Sequence, residues 1–497
     1  MASTFANAGA QWRVRTGGNE LNGGGFDPFV TNAGTDYTDQ VAPQVSSTTG
    51  TCTVASTTWV DAGATFTAAM IGNVIRISAV TGGSAIALDY FVVTGFTNAT
   101  TITLDRTPCA VANITAATYR LGGAHASLVN YASTGTGLAT PVLATPLIPG
   151  NRIYIRGAGT LDPAVADYDH SAGTWTFPNG NRTAVGGGPI TLIGYNGRPR
   201  IDHCGTLITA DWDTKHISFF RKLGTNLVPV VSQSGFGVIT AAQDCIFDQN
   251  GFDATEWYGQ YSGFMFNEVR NTGGGAVGSA QVVASQHPSN PIMGNYIHGV
   301  RGPAVSIQYA GQINTTAVSC CYNTIVNNLS DGIQLAPMAT AYYFAVFNNT
   351  IDGNGGHGIT LGAGAIAYSS IFNNIISNHT GVGKRGLNFT DSLITNRRLQ
   401  RNVFDAQCFF GNTTDGNNWT YQTNDIQADP GYVNRAGGDY ATGANVRGKG
   451  LSGLGGVAGT LGAATNVVNI GAFQGSTTPA AGGSTSYRRG SRWRHPI

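Results

Sequence analysis

Four segments, GNYIHGVRGPAVSIQ (294–308), YNTIVNNLSDGIQL (322–335), NNTIDGNGGHGITL (348–361) and NNIISNHTGVGKRGLNF (373–389), follow one plan. In each, an asparagine precedes an apolar residue by two positions: Asn295 and Ile297, Asn323 and Ile325, Asn349 and Ile351, Asn374 and Ile376. A small residue then introduces a second apolar pair, as in Val305/Ile307, Ile333/Leu335, Ile359/Leu361 and Leu387/Phe389. The asparagines are 28, 26 and 25 residues apart, and Asn267 and Asn402 extend the series by 28 residues in each direction. Alternation at period 2 is the mark of a strand, whereas a helix needs a period of about 3.6. A strand-turn-strand unit repeated in fixed register builds a parallel coil, in which like residues stack at about 4.8 Å.

That register assigns roles to polar residues that would otherwise look like a metal or sugar loop. Asn267, Asn295, Asn323, Asn349, Asn374 and Asn402 form one column, where stacked amides can bond each other and the turn backbone. This ladder is expected to be structural. Gly353, Gly355, Gly356 and Gly358 are expected as turn residues with φ > 0. One residue past the first apolar position, Arg270, His298, Val326, Asp352, Ser377 and Asp405 are expected on a solvated outer face.

Composition narrows the function classes. The 497 residues include 70 glycines, roughly twice average usage, and only 11% charged residues. The formal charge of +1 argues against broad electrostatic binding of nucleic acid. MASTFANAGAQWRVR contains no apolar run of a secretory signal, and no run of 18 apolar residues predicts membrane insertion. Seven cysteines, with Cys320 and Cys321 adjacent, lack metal-ligand spacing. Cys52 and Cys109 read as small buried apolar residues, with a disulfide between them as the alternative. No metal or cofactor is expected: Asp211 and Asp213 lack the glycine and glutamate of a calcium loop, and the glycine runs lack the setting of a phosphate loop.

With the repeat in hand, residues 190–430 resemble the right-handed parallel β-helix of the pectate-lyase-like superfamily. The ending ADPGYVNRAGGDY…NIGAFQ, from Asp429 to Gln474, is similar to the closing segment of many such chains. The string MIGNVIRI…YFVVTGF…TITLDR resembles β modules near the start of virion-associated β-helix proteins, the phage tailspike type. The resemblance implies an all-β, right-handed parallel β-helix and is almost silent on chemistry, because the superfamily spans lyases, hydrolases, epimerases, adhesins and tailspikes. The expected organisation is an N-terminal β domain (1–125), a connecting β region (126–189), the coil (190–430), its closing segment (431–475), and a linker with a basic tail (476–497).

Candidate chemistry concentrates in CIFDQNGFDATEWYGQYSGFMFNEV. Asp248, Asp253, Glu256 and Glu268 could supply the acid, base or nucleophile of glycan cleavage, and Trp257, Tyr258 and Tyr261 could stack on sugar rings. The tail places Tyr487, Arg488, Arg489, Arg492, Trp493 and Arg494 in one short run, suited to docking on an acidic partner surface.

Two readings of function follow. The first is a structural or receptor-binding component of a virion surface, such as a tailspike, fibre or capsid-decorating protein. It would be a homotrimer in contact with other virion proteins and a surface glycan. The second is an extracellular carbohydrate-active enzyme, a lyase or hydrolase, working through Asp248 to Glu268.

Overall fold

The computed structural model describes residues 11–28, 34–82, 89–128, 131, 150–169, 190–202, 212–220, 241–248, 263–270, 284–285, 291–307, 318–335, 343–362, 368–390, 403–405, 407–416 and 425–442. The chain divides into two compact units, Met1–Ser218 and Phe219–Ile497. All of their regular structure among the described residues is strand, apart from short 3-10 turns.

In the second unit each turn of chain visits three sheets in order. One complete turn runs through Pro291–Met293, Tyr296–His298 and Val305–Ile307, and the next through Val318–Cys321, Thr324–Val326 and Ile333–Leu335. Each strand pairs in parallel with its counterpart one turn on: Ile292 with Cys320, Ile297 with Ile325, Val305 with Ile333. The unit is therefore a three-faced parallel β-coil. The middle residues of the second sheet, Val269, Ile297, Ile325, Ile351 and Ile376, point inward and are fully buried. In the third sheet the flanking residues do so, Ile333/Leu335 and Ile359/Leu361 among them. The apolar pairs seen in the sequence are thus the two inner walls of one core.

Single left-handed residues make the corners. Asp244, Phe266, Gly294, Tyr322, Asn348 and Asn373 occupy one column between the first and second sheets, with φ between 52° and 69°. Gly299, Asn327, Gly353, Asn378 and Gly411 occupy the next corner, with φ between 54° and 65°. Glycine and asparagine recur there because they tolerate this region at least cost. Of the four glycines expected at positive φ, only Gly353 has it. The others are glycine for lack of room: a Cβ on Gly355 would meet Leu329 O at 2.7 Å, on Gly356 Asp331 Oδ1 at 2.1 Å, and on Gly358 Gly386 O at 2.5 Å.

Strand register also revises the outer column. Arg270, His298, Val326, Asp352 and Ser377 do stack, but the next residue is Phe410, while Asp405 pairs with Phe372 in the first sheet. Nor is the column a solvated face, because Val326, Asp352 and Ser377 are completely buried.

The first unit holds a second set of parallel strands and an antiparallel barrel. Gln11–Val14 pairs in parallel with Arg152–Arg156, which pairs with Ile190–Tyr195. Parallel pairing therefore begins ahead of the expected boundary at residue 190 and includes a strand from the expected N-terminal domain. Between the first two of these strands, seven antiparallel strands lie within Val45–Leu121. Ile114–Leu121 pairs with both Thr51–Cys52 and Val74–Gly82, which closes six strands into a ring and removes open edges. Its core holds Trp59, Phe66, Ile75, Phe91, Ile102 and Tyr119. Cys52 and Cys109 are free thiols within it, and Cys109 donates to Thr53 O at 3.0 Å. Burial pushes the Cys52 thiol up to about 12.

Candidate functional site

The asparagine column is saturated with hydrogen bonds. Asn349 Nδ2 donates to Asn374 Oδ1 at 2.9 Å and to Cys320 O at 2.9 Å, and its Oδ1 accepts from the backbone and side chain of Asn323 at 3.0 and 2.9 Å. Asn267, Asn295 and Asn323 repeat the pattern one turn apart, all of them buried. After Asn374 the column continues not in Asn402, which lies outside the described residues, but in Gln407, whose Oε1 accepts at 3.1 Å. Gln407 directly precedes Cys408, the partner of Ile375, so its amide falls in register with Asn374 although 33 residues of chain separate them. With every polar atom of these amides supplied by the repeat, the column offers a ligand nothing.

A second ladder stands at the next corner. Asn328 Nδ2 donates to Asn354 Oδ1 at 2.8 Å, Asn354 Nδ2 to His379 Nε2 at 3.4 Å, and His379 Nδ1 to Asn412 Oδ1 at 3.1 Å. Burial lowers the His379 pKa to about 4, against the opposing bond to Asn412, so the ring is neutral and one nitrogen accepts while the other donates. Its signal in the sequence is a left-handed residue followed by an amide or imidazole: Asn327-Asn328, Gly353-Asn354, Asn378-His379, Gly411-Asn412.

Reactive groups converge on the outward side of the second sheet, over the strands Ile246–Asp248, Glu268–Arg270 and Tyr296–His298. Register places Asp248 beside Arg270 and Glu268 beside Tyr296. Arg270 donates from Nε to Asp248 Oδ2 at 2.7 Å and from Nη1 to Glu268 Oε1 at 3.0 Å. The same Glu268 oxygen lies 3.1 Å from His298 Nε2. The His298 ring stacks on Tyr296 at 4.3 Å with 25° between planes, and 28% of its side chain is exposed. Its Nδ1 has no hydrogen-bond partner among the described residues. A Glu268 acceptor favours the Nε2–H tautomer and leaves the Nδ1 lone pair available to take a proton.

Two of the expected carboxylates, Asp248 and Glu268, are thus brought together by an arginine that alternation alone set aside as surface. Asp253, Glu256, Trp257, Tyr258 and Tyr261 lie outside the described residues, as do Tyr487, Arg488, Arg489, Arg492, Trp493 and Arg494.

A strap from the closing segment bounds this cluster. Ile426–Gln427 joins the second sheet beside Cys408–Phe410, and the chain then crosses the outer column. Asp352 is completely buried; its Oδ1 accepts from Ser377 Oγ at 2.7 Å and Asn378 Nδ2 at 2.6 Å, and its Oδ2 accepts from Arg435 Nε at 2.6 Å. Tyr432 meets Ser377 Oγ at 2.9 Å and packs edge-on against Tyr440 at 5.1 Å. Burial, reinforced by the Asp352 charge, raises both phenols, which stay protonated. A Cβ on Gly438 would lie 3.4 Å from Tyr296 Oη, so the strap forms a wall at the edge of the Tyr296–His298 pair.

No family model matches the chain, and no curated protein matches it. Among solved structures it is similar to pectate lyase Pel9A, with 11% identity and a TM-score of 0.38, over 66% of this chain and 89% of that one. It is also similar to the A-module of Azotobacter vinelandii mannuronan C-5 epimerase AlgE4, with 11% identity and a TM-score of 0.30, over 53% of this chain and 79% of that one.

Proposed function

We propose that this chain is a carbohydrate-active protein that binds a short stretch of glycan over Arg270, Tyr296 and His298, with the strap as one wall. The supporting observation is the His298–Glu268 pair: an imidazole held by a carboxylate through one nitrogen, partly exposed, with the other nitrogen open. That is the arrangement of a general base. Tyr296 stacks beneath the imidazole ring and presents an aromatic edge to a sugar.

The test is a panel of polysaccharides assayed for binding and for release of reducing or unsaturated ends. Wild type should bind at least one member. His298→Ala should lose about a hundredfold or more in any cleavage rate, the usual worth of a positioned base, with a smaller change in binding. Absence of binding across the panel would overturn the reading.

We also propose, from the sequence pattern of the tail, a place on a virion surface as a homo-oligomer, a trimer on the tailspike resemblance. Removing residues 476–497 should then weaken oligomerisation in a salt-sensitive way, measured by light scattering at low and high ionic strength. A truncated chain that assembles as the full one does would count against it.

A further inference from the structure

We infer that the outward face of the parallel strands in the first unit docks an extended, acidic segment of a partner protein. The inference is independent of the glycan reading, whose residues belong to the second unit. Gln11–Val14, Arg152–Arg156, Ile190–Tyr195 and Trp212–Lys215 pair side by side. Trp12, Val14, Ile153, Ile155 and Leu192 are completely buried, so alternation turns Arg13, Arg15, Arg152, Tyr154, Arg156 and Tyr195 to the other side. Lys215 joins them by register, beside Ile193.

Two aspartates of one short segment already show how this face takes carboxylates. Asp36 Oδ2 accepts from Arg13 Nη2 at 3.2 Å, and Asp39 Oδ2 accepts from Arg156 Nη1 at 3.1 Å. Asp39 Oδ1 also accepts from Tyr195 Oη, and the Asp39 carbonyl accepts from Arg15 Nη1. Arg15 therefore holds a carbonyl and, among the described residues, no carboxylate. Arg152 and Lys215 are exposed and form no ion pair among the described residues. Register puts one further acidic residue on this side of the strands, Asp213 beside Thr191, at the opposite corner from Arg15.

The aromatic residues of the face separate a peptide from other polyanions. The Arg13 guanidinium lies 4.6 Å from the Tyr154 ring centroid and 5.3 Å from that of Tyr195, and the Arg156 guanidinium lies 5.7 Å from that of Tyr195. Arginines thus occupy the ring faces on which a sugar or a base would stack. What the face offers is cations at strand spacing. Arg13 and Arg15 are two residues apart, about 6.6 Å along the strand, and neighbouring strands are about 4.8 Å apart. Side chains on one side of an extended peptide recur at the same interval of about 6.6 Å, so acidic residues at alternate positions meet cations in step. Each arginine fork then gives a carboxylate charge-assisted hydrogen bonds, as Arg13 and Arg156 do for Asp36 and Asp39.

The experiment measures binding of a labelled peptide of alternating glutamate and serine to the full-length chain, beside a hexuronate polymer and inorganic polyphosphate at matched charge. The peptide should bind at low ionic strength and weaken at least about tenfold at high salt, where exposed charges are screened. Arg152→Glu and Lys215→Glu should each weaken peptide binding about fivefold or more and leave the melting curve unchanged, because both side chains are exposed. Lys384→Glu makes the same charge change in the second unit and should leave peptide binding within about twofold. The two reversals in the first unit should alter binding of the hexuronate and of polyphosphate by less than they alter binding of the peptide. Absence of peptide binding at low salt, or an equal loss in Lys384→Glu, would overturn the docking face. Losses for hexuronate or polyphosphate as large as those for the peptide would overturn its assignment to an acidic protein segment.

Discussion

Arg435 Nε lies 2.6 Å from Asp352 Oδ2 across 83 residues of chain, and the carboxylate it meets is fully buried. The bond fastens the strap to the coil, and it explains why an aspartate can face outward from a sheet and still see no water. Asp352 keeps two neutral donors, Ser377 and Asn378, and one cation. Arg435→Leu should then destabilise the second unit by about 2–4 kcal/mol, the low side of the range for orphaning a buried charge, because Arg435 itself is 44% exposed. Adding Asp352→Asn should recover part of that loss. Urea unfolding of both single variants and the double variant gives the coupling energy, and strictly additive singles would show that the strap is held by its tyrosines alone.

The asparagine ladder leads to a larger effect. Asn349→Leu strips the acceptor from the backbone and side-chain amides of Asn323, and the donor from Asn374 Oδ1. Each orphaned buried group costs about 1–3 kcal/mol, so a loss of at least about 3 kcal/mol is expected. Asn267→Leu, nearer the start of the described ladder, should also destabilise. Melting curves that match wild type for both would contradict the ladder's role.

His379 makes the coil sensitive to acid. Its folded pKa, about 4, lies below the unfolded value of about 6.5, so between these values the unfolded chain binds more protons than the folded one. Stability is therefore full above about pH 6.5 and falls as the pH drops toward 4. Protonation would turn Nε2 from an acceptor into a donor facing the Asn354 amide. His379→Gln should flatten the profile by about 2–3 kcal/mol over that window. His125, in the first unit, is lowered to about 3 by burial and loses stability over the same range, so the comparison must be of the slope in variant and wild type.

The corners offer a paired test of backbone strain. Gly294 has φ of 69°, and a Cβ there would stand 2.5 Å from Phe266 Cδ1. Gly294→Ala should cost about 2 kcal/mol or more, combining the left-handed penalty with displacement of the Phe266 ring. Asn348→Gly, at φ of 54° in the same column, should change stability by no more than about 1 kcal/mol. Equal losses in the two variants would show that the Phe266 contact and φ are not what constrain this corner.

Asn349, Ile351, Ile359 and Leu361 could be placed from sequence because a coil repeats its local environment, so the same residue types recur at the same phase. That phase gave the strands, the inward residues and the amide column before any contact was known. Asp248 and Glu268 came into consideration separately, as carboxylates in one stretch of chain. What tertiary structure alone decided lies where the repeat breaks. Gln407 stands where Asn402 was expected, because the pairing of Cys408 with Ile375 sets the register there. Parallel pairing of Gln11–Val14 with Arg152–Arg156 joins strands whose alternation says nothing about a partner's identity or direction. Asp352 reads as solvent-exposed by period and is buried because Arg435, Tyr432 and Tyr440 return over it from distant sequence. Arg270 and His298, likewise assigned to a bare outer face, acquire their chemistry from neighbours one turn away. Periodicity reports which way a side chain points from its own strand; what waits there is set by contacts between residues far apart in the chain, which no local pattern encodes.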